Sequence, residues 1–121
     1  MTWTVVFDDL FAQEFAGFDR HVKVELRAMV QLLQARGPEL GRPRADTLKG
    51  STYANMKELR FDASGGVWRA AFAFDPERKA VILVAADKSG TSEKAFYKKL
   101  IRTADKRYQA YLAAPRNKER E

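Results

Sequence analysis

Two arginines in the middle of the chain have the type and spacing needed to bind one phosphate group together. Arg60 and Arg69 lie in two apolar-rich runs, 55–62 and 67–74, that a Gly-Gly turn separates. Each run alternates large with small or polar residues, which is the pattern of a β-strand in a hairpin. Because successive side chains of a strand point to opposite faces, both arginines are predicted on the face away from the large apolar residues. Two guanidiniums on a surface of small residues can clamp a phosphate bidentately.

The same alternation predicts which residues of the two strands face the helices. That face carries Lys57, Leu59, Phe61, Trp68, Phe72 and Phe74. Since neither arginine lies there, alanine at either position is expected to change the free energy of unfolding by less than ~1 kcal/mol. An alternative stays open, in which Arg60 pairs with Glu58 or Asp62 on an ordinary solvent face.

A basic helix is predicted near the end of the chain, over 93–111, with Lys88 just before it. Four cations that lie four residues apart line one flank of this helix: Lys94, Lys98, Arg102 and Lys106. Such a line can follow a phosphate backbone, but it is also what keeps the outer face of a helix solvated. Tyr97 falls on the apolar flank, where a core-edge role and a catalytic role both remain open.

The net charge of +6 is concentrated in the C-terminal part of the chain. Residues 1–87 contain twelve Lys/Arg and twelve Asp/Glu, whereas residues 88–121 contain ten Lys/Arg and four Asp/Glu. This asymmetry favours a polyanionic partner, with simple solubility as the alternative.

The residue types that are missing exclude several chemistries. Without cysteine there are no disulfides, thiolate nucleophiles or cysteine zinc sites, and a single histidine, His21, excludes a Ser-His-Asp triad and a multi-histidine metal site. An enzyme of this composition must use arginine, lysine, tyrosine and carboxylates, so no metal and no cofactor are expected. The absence of an uncharged apolar run of ~18 residues and an acidic start unlike a signal peptide predict a cytoplasmic protein that does not enter a membrane.

The periodicity along the whole chain predicts an α+β fold with the element order β-α-α-β-β-β-α. A short strand at 3–7 precedes two amphipathic helices, of which the second covers 20–36. A long loop is predicted over 37–55, followed by the two arginine-bearing strands and a third strand at 79–87. The two N-terminal helices are expected to pack on one face of an antiparallel sheet, with the basic helix after it.

Three segments of the chain carry a family resemblance. They read KGSTYANMKELRF from Lys49, GGVWRAAFAFD from Gly65 and VAADKSGTSEKAFYKKLIRTAD from Val84. Their order and spacing resemble the RelE/ParE superfamily of toxin–antitoxin toxins, and most closely its HigB-like, phage Gp49-like branch. The resemblance implies a single RelE-like domain over 1–112, followed by a basic, frayed tail over 113–121.

The resemblance also implies a function. Ribosome-dependent members of this superfamily cut mRNA without a metal ion, by attack of a ribose 2′-OH on the adjacent phosphate. Matched position by position, it implies a catalytic set of Arg60, Arg69, Lys88 and Tyr97. The cations expected to bind RNA are Lys49, Lys57, Lys94, Lys98 and Arg102. The expected partners are mRNA on the ribosome and a cognate antitoxin, which in this branch is usually a helix-turn-helix protein.

Two other functions remain open at this point. A ParE-like toxin would poison DNA gyrase by protein–protein contact, so alanine at Arg60 or Arg69 would leave its toxicity intact. A non-catalytic nucleic-acid-binding protein would show salt-sensitive affinity without cleavage. The chain also departs from the family pattern, because Lys57 is the only lysine on a strand that often carries two, and Ser89 stands where a second arginine is often found.

Overall fold

A computed structural model describes residues 2–114 and shows a mixed α+β fold. Its elements are β1 (Thr4–Phe7), α1 (Asp9–Ala16), α2 (Arg20–Arg36), a 3-10 turn (Gly37–Glu39), β2 (Ala45–Thr47), β3 (Met56–Ala63), β4 (Gly66–Phe74), β5 (Lys79–Asp87) and α3 (Glu93–Ala113). The α+β class is confirmed. No helix within this range is long and apolar enough to cross a membrane. The predicted tail falls almost entirely on 115–121, which lie outside the described residues.

Local sequence signals set the ends of the helices. The carboxylate of Asp8 accepts the backbone N–H groups of Leu10 and Phe11, and that of Asp19 accepts those of His21 and Val22. Each therefore satisfies donors that the first turn of a helix leaves without partners. At the other end of α2, Gly37 has a positive φ of 56°, which glycine adopts without steric cost.

The five strands form one sheet in the order β1-β5-β4-β3-β2. β1 pairs parallel with β5, whereas every other pair is antiparallel, so the expectation of a wholly antiparallel sheet was wrong at this edge. Both helices α1 and α2 and the strands β2 to β4 lie between β1 and β5 in the chain, and a connection of this length allows the two strands to run parallel. The expectation of an unbroken loop over 37–55 was wrong too, because it contains β2. Three residues give no periodicity that the sequence could reveal.

The sheet separates two hydrophobic cores. On one face α1 and α2 cover Leu59, Ala70 and Phe72, as alternation predicts. On the other face α3 packs Phe96 and Leu100 against a smaller apolar set that includes Ala71 and Leu83. The face that carries Arg60 and Arg69 is therefore partly covered by α3, and it is not an open solvent face.

Candidate active site

Arg60 and Arg69 lie directly opposite each other on adjacent strands. They are register partners in the β3–β4 ladder, and Arg69 is in turn opposite Ala86 of β5. The predicted shared face is confirmed. The Arg60 side chain is 34% exposed and that of Arg69 only 12%. Two guanidiniums are thus held at neighbouring positions where the α3 face meets solvent.

A buried carboxylate, Glu58, joins the two arginines. Its side chain is 3% exposed, and its Oε2 accepts a hydrogen bond of 3.0 Å from Nε of Arg60. Its Oε1 lies 3.8 Å from Nε of Arg69. A buried carboxylate is costly unless charged and hydrogen-bonding partners surround it. The Arg60–Glu58 pairing that alternation left open is therefore present, and it joins Arg60 and Arg69 through one carboxylate.

Tyr97, on the second turn of α3, completes this cluster. Its hydroxyl donates a 2.8 Å hydrogen bond to Oε1 of Glu58 and accepts one of 3.2 Å from Nε of Arg69. Burial raises the pKa of the Tyr97 phenol, the bond to Glu58 raises it further, and Arg69 acts in the opposite direction. Near neutral pH the phenol is therefore a neutral hydrogen-bond donor.

Each guanidinium keeps one terminal nitrogen available. Arg60 uses Nε and Nη2 on Glu58, and Nη2 also lies 3.6 Å from Asp46. Arg69 uses Nε on Tyr97 and Nη1 on the Trp68 carbonyl. Among the hydrogen bonds of residues 2–114, none involves Nη1 of Arg60 or Nη2 of Arg69. These two nitrogens are the groups that can receive phosphate oxygens.

The electrostatics of the cluster favour the charged form of Arg60. Burial acts to lower the pKa of the Arg60 guanidinium, but the hydrogen bond and charge of Glu58, with a smaller contribution from Asp46, outweigh it and raise that pKa.

Glu58 and Asp46 were both missed as site residues. Glu58 shares the alternation of Arg60 and could have been noticed as its pairing partner, whereas Asp46 comes from the short strand β2, which no sequence pattern revealed.

Lys88 reaches the same region from the end of β5. Its ammonium nitrogen lies 5.7 Å from the centre of the Tyr97 ring and 3.8 Å from a carboxylate oxygen of Glu93. Its backbone N–H donates to the Val67 carbonyl at 2.8 Å. The four residues predicted as catalytic are therefore brought together, with Lys88 against Tyr97 rather than against the arginines.

The residues predicted to bind RNA are spread over two faces. Lys94, Lys98 and Arg102 are exposed on α3, and Lys49 is exposed in the loop before β3. Lys57 lies opposite Phe72 on the face that α1 and α2 cover. This is the face that strand alternation predicts for Lys57, opposite to that of the arginines, and its binding of RNA stays a prediction.

A cleft opens beside the two arginines at the edge of β3. β2 pairs with β3 only as far as Leu59, which leaves space of about 510 Å³ between the end of β3 and α2. Its lining includes three arginines and two carboxylates, namely Arg44, Arg60, Arg69, Glu25 and Asp62. A chain bound in this cleft would contact both strand arginines. No group of three His, Asp or Glu side chains in the described range is arranged to hold a metal ion.

The architecture is that of the RelE-like toxins. A double arginine-to-alanine mutant of the E. coli toxin RelE in the free state superposes with a TM-score of 0.59, over 84% of this chain and 96% of that one, at 14% sequence identity. At that identity the likeness concerns the fold alone.

Sequence relatives make the assignment more specific. The family model "Phage derived protein Gp49-like (DUF891)" matches residues 13–109. Two Mycobacterium tuberculosis proteins are named as putative toxins. HigB3 is 40% identical over 83% of this chain and 85% of its own length, and HigB2 is 40% identical over 80% of this chain and 48% of its own. The chain spans about half of HigB2. The chain belongs to the Gp49-like family, within the HigB-like and RelE-like toxins of toxin–antitoxin systems.

Proposed function

We propose that this toxin is a metal-independent endoribonuclease that cuts mRNA on the ribosome and so stops translation in the cytoplasm. The observation that supports this proposal is the Arg60–Arg69 pair, which Glu58 and Tyr97 hold beside an open cleft. Cleavage of RNA by its own 2′-OH needs no metal or cofactor. It does need preorganised donors where charge develops on the phosphoryl oxygens.

The two free nitrogens of the arginines bind the scissile phosphate. Nη1 of Arg60 and Nη2 of Arg69 donate to its non-bridging oxygens, whose negative charge grows as the 2′-oxygen attacks. The proton of the attacking 2′-OH passes to solvent. The neutral Tyr97 hydroxyl, which donates to Glu58 in the free protein, turns to the substrate, gives its proton to the departing 5′-oxygen and later regains one from solvent. Arg69, bonded to the same hydroxyl oxygen, stabilises the phenolate left behind. The products are a 2′,3′-cyclic phosphate and a 5′-hydroxyl end.

The direct test is cleavage of an mRNA by the purified protein on programmed ribosomes, with the new 5′ ends mapped. Wild-type protein is expected to leave 5′-hydroxyl ends, and a 2′-deoxy substitution at the scissile nucleotide is expected to abolish the cut. Arg78→Ala is the matched control, because Arg78 is an exposed arginine on the β4–β5 turn that lies over Trp3, on the edge of the other core. Uncut mRNA together with trapped gyrase–DNA complexes would instead support the ParE-like function.

The proposed partner is an antitoxin of helix-turn-helix type that carries an acidic segment. Exposed cations on α3, among them Lys94, Lys98 and Arg102, supply a basic surface next to the arginine pair. Co-expression with the product of the adjacent reading frame is expected to yield a complex that no longer cuts mRNA. Failure of the two proteins to co-purify would count against this partner.

A further inference from the structure

Glu58 differs from the other members of the site because it repels RNA yet is the most buried of them. A carboxylate with 3% exposure cannot reach a phosphate, and its charge opposes binding of one. Within the described residues, the contacts that compensate for its burial are those with Arg60, Arg69 and Tyr97. The contacts of Glu58 therefore fix the positions of Arg60, Arg69 and Tyr97, the three groups that face the substrate.

The two oxygens of Glu58 have separate tasks. Oε2 accepts a hydrogen bond from Nε of Arg60 and forms an ion pair with Nη2, both at 3.0 Å, and so fixes the plane of that guanidinium. Oε1 accepts a 2.8 Å hydrogen bond from the Tyr97 hydroxyl and forms an ion pair with Nε of Arg69 at 3.8 Å. An amide in the same place has only one oxygen. Its NH₂ group would meet either the donor Nε of Arg60 or the hydroxyl that already accepts from Arg69.

We infer that Glu58 is a positioning residue of the reaction, which aligns Arg60, Arg69 and Tyr97 on the scissile phosphate without touching it. This inference rests on the proposed nuclease function. It requires that loss of the carboxylate lowers the rate of the chemical step and does not weaken RNA binding. A misplacement of about 1 Å in a catalytic group typically costs about 100-fold in rate.

Asp75 provides a matched control on the same scaffold. It is a buried carboxylate, and it accepts a 2.7 Å hydrogen bond from Tyr111 and two from the backbone of the β4–β5 turn. It therefore resembles Glu58 in burial and in its tyrosine partner, but it lies outside the arginine cluster, directly after the last residue of β4. Asp75→Asn measures what loss of a buried carboxylate does to the fold alone.

The experiment compares wild type, Glu58→Gln and Asp75→Asn in three measurements. These are kcat and KM for mRNA cleavage on ribosomes, affinity for RNA with a 2′-deoxy scissile nucleotide, and the thermal melt. Glu58→Gln is expected to lower kcat about 10- to 100-fold, with affinity unchanged or tighter because a negative charge is gone. Asp75→Asn is expected to lower the melting temperature while kcat stays at the wild-type value. If Glu58→Gln does not fold, Glu58→Asp replaces it, because it keeps the charge but shortens the reach and is expected to lower kcat in the same way.

A spectroscopic measurement separates positioning from general destabilisation. The Glu58 bond raises the pKa of Tyr97, so the ¹³Cζ resonance of labelled Tyr97, assigned with Tyr97→Phe, should titrate at lower pH in Glu58→Gln than in wild type. An unchanged kcat in Glu58→Gln with active wild type overturns this inference alone. Weaker RNA binding with unchanged kcat overturns it as well. Wild type that cuts no mRNA overturns the proposed function and this inference with it.

Discussion

Replacement of Arg69 by alanine probes both the stability and the chemistry of the site. The side chain is 12% exposed, and its Nε and Nη1 form bonds of 3.2 Å to Tyr97 and 2.9 Å to the Trp68 carbonyl. Its removal leaves these two acceptors without their partner and takes one cation away from buried Glu58. Loss of one partner of a buried hydrogen bond costs about 1–3 kcal/mol, so Arg69→Ala should lower the free energy of unfolding by about that amount.

This magnitude revises the sequence-based expectation of less than ~1 kcal/mol, which assumed a solvent face. Loss of one preorganised donor to a developing oxyanion typically costs about 100- to 1000-fold in rate. Arg69→Lys should recover part of the rate, since lysine retains the charge but not the fork of two donors. The assay is urea unfolding together with single-turnover mRNA cleavage, with Arg78→Ala as control. If folded Arg69→Ala protein cuts at the wild-type rate, Arg69 is not part of the catalytic machinery.

Three further predictions concern pH, the scaffold and metal. The pKa of Tyr97 is higher in the folded than in the unfolded state, so the stability linked to it is complete below about pH 10 and is lost as pH rises through the folded pKa. In Tyr97→Phe, the free energy of unfolding in urea should therefore depend less on pH in the alkaline range. An unchanged pH dependence would refute this. Arg107 donates to both carboxylate oxygens of Glu14 and to the Leu83 carbonyl. Arg107→Ala should therefore lower the free energy of unfolding by about 1–3 kcal/mol while mRNA cleavage persists. A loss of cleavage by stable protein would contradict this. Cleavage should survive EDTA, with a known metal-independent ribonuclease on the same ribosomes as the control for their integrity; strict dependence on a protein-bound divalent ion would overturn the mechanism.

Strand periodicity determined the part of the site that could be predicted. Arg60 and Arg69 were predicted on one face because the large residues that alternate with them along the two strands, such as Leu59 and Phe72, define the other face. The structure places them there and adds that they are direct register partners. Register depends on the turn between strands, and the Gly-Gly turn was visible in the sequence.

The contacts from outside the hairpin could not be predicted. The approach of α3 to the arginine face is a tertiary contact, so the position of Tyr97 between Glu58 and Arg69 has no local signal. The cover that α3 provides is also what buries Glu58. β2 was missed because it is only three residues long, and Asp46 was missed with it. Tertiary packing, rather than secondary-structure propensity, thus brings the two carboxylates to the site.

In the proposed mechanism, the Arg60–Arg69 pair carries RNA cleavage. Mapping of RNA 5′ ends after induction of the wild-type gene and of the Arg69→Ala variant, each matched for protein level, tests it most directly. Wild type should produce new 5′-hydroxyl ends within translated mRNA together with growth arrest, and Arg69→Ala should produce neither. Growth arrest by both proteins without new mRNA ends would contradict the claim.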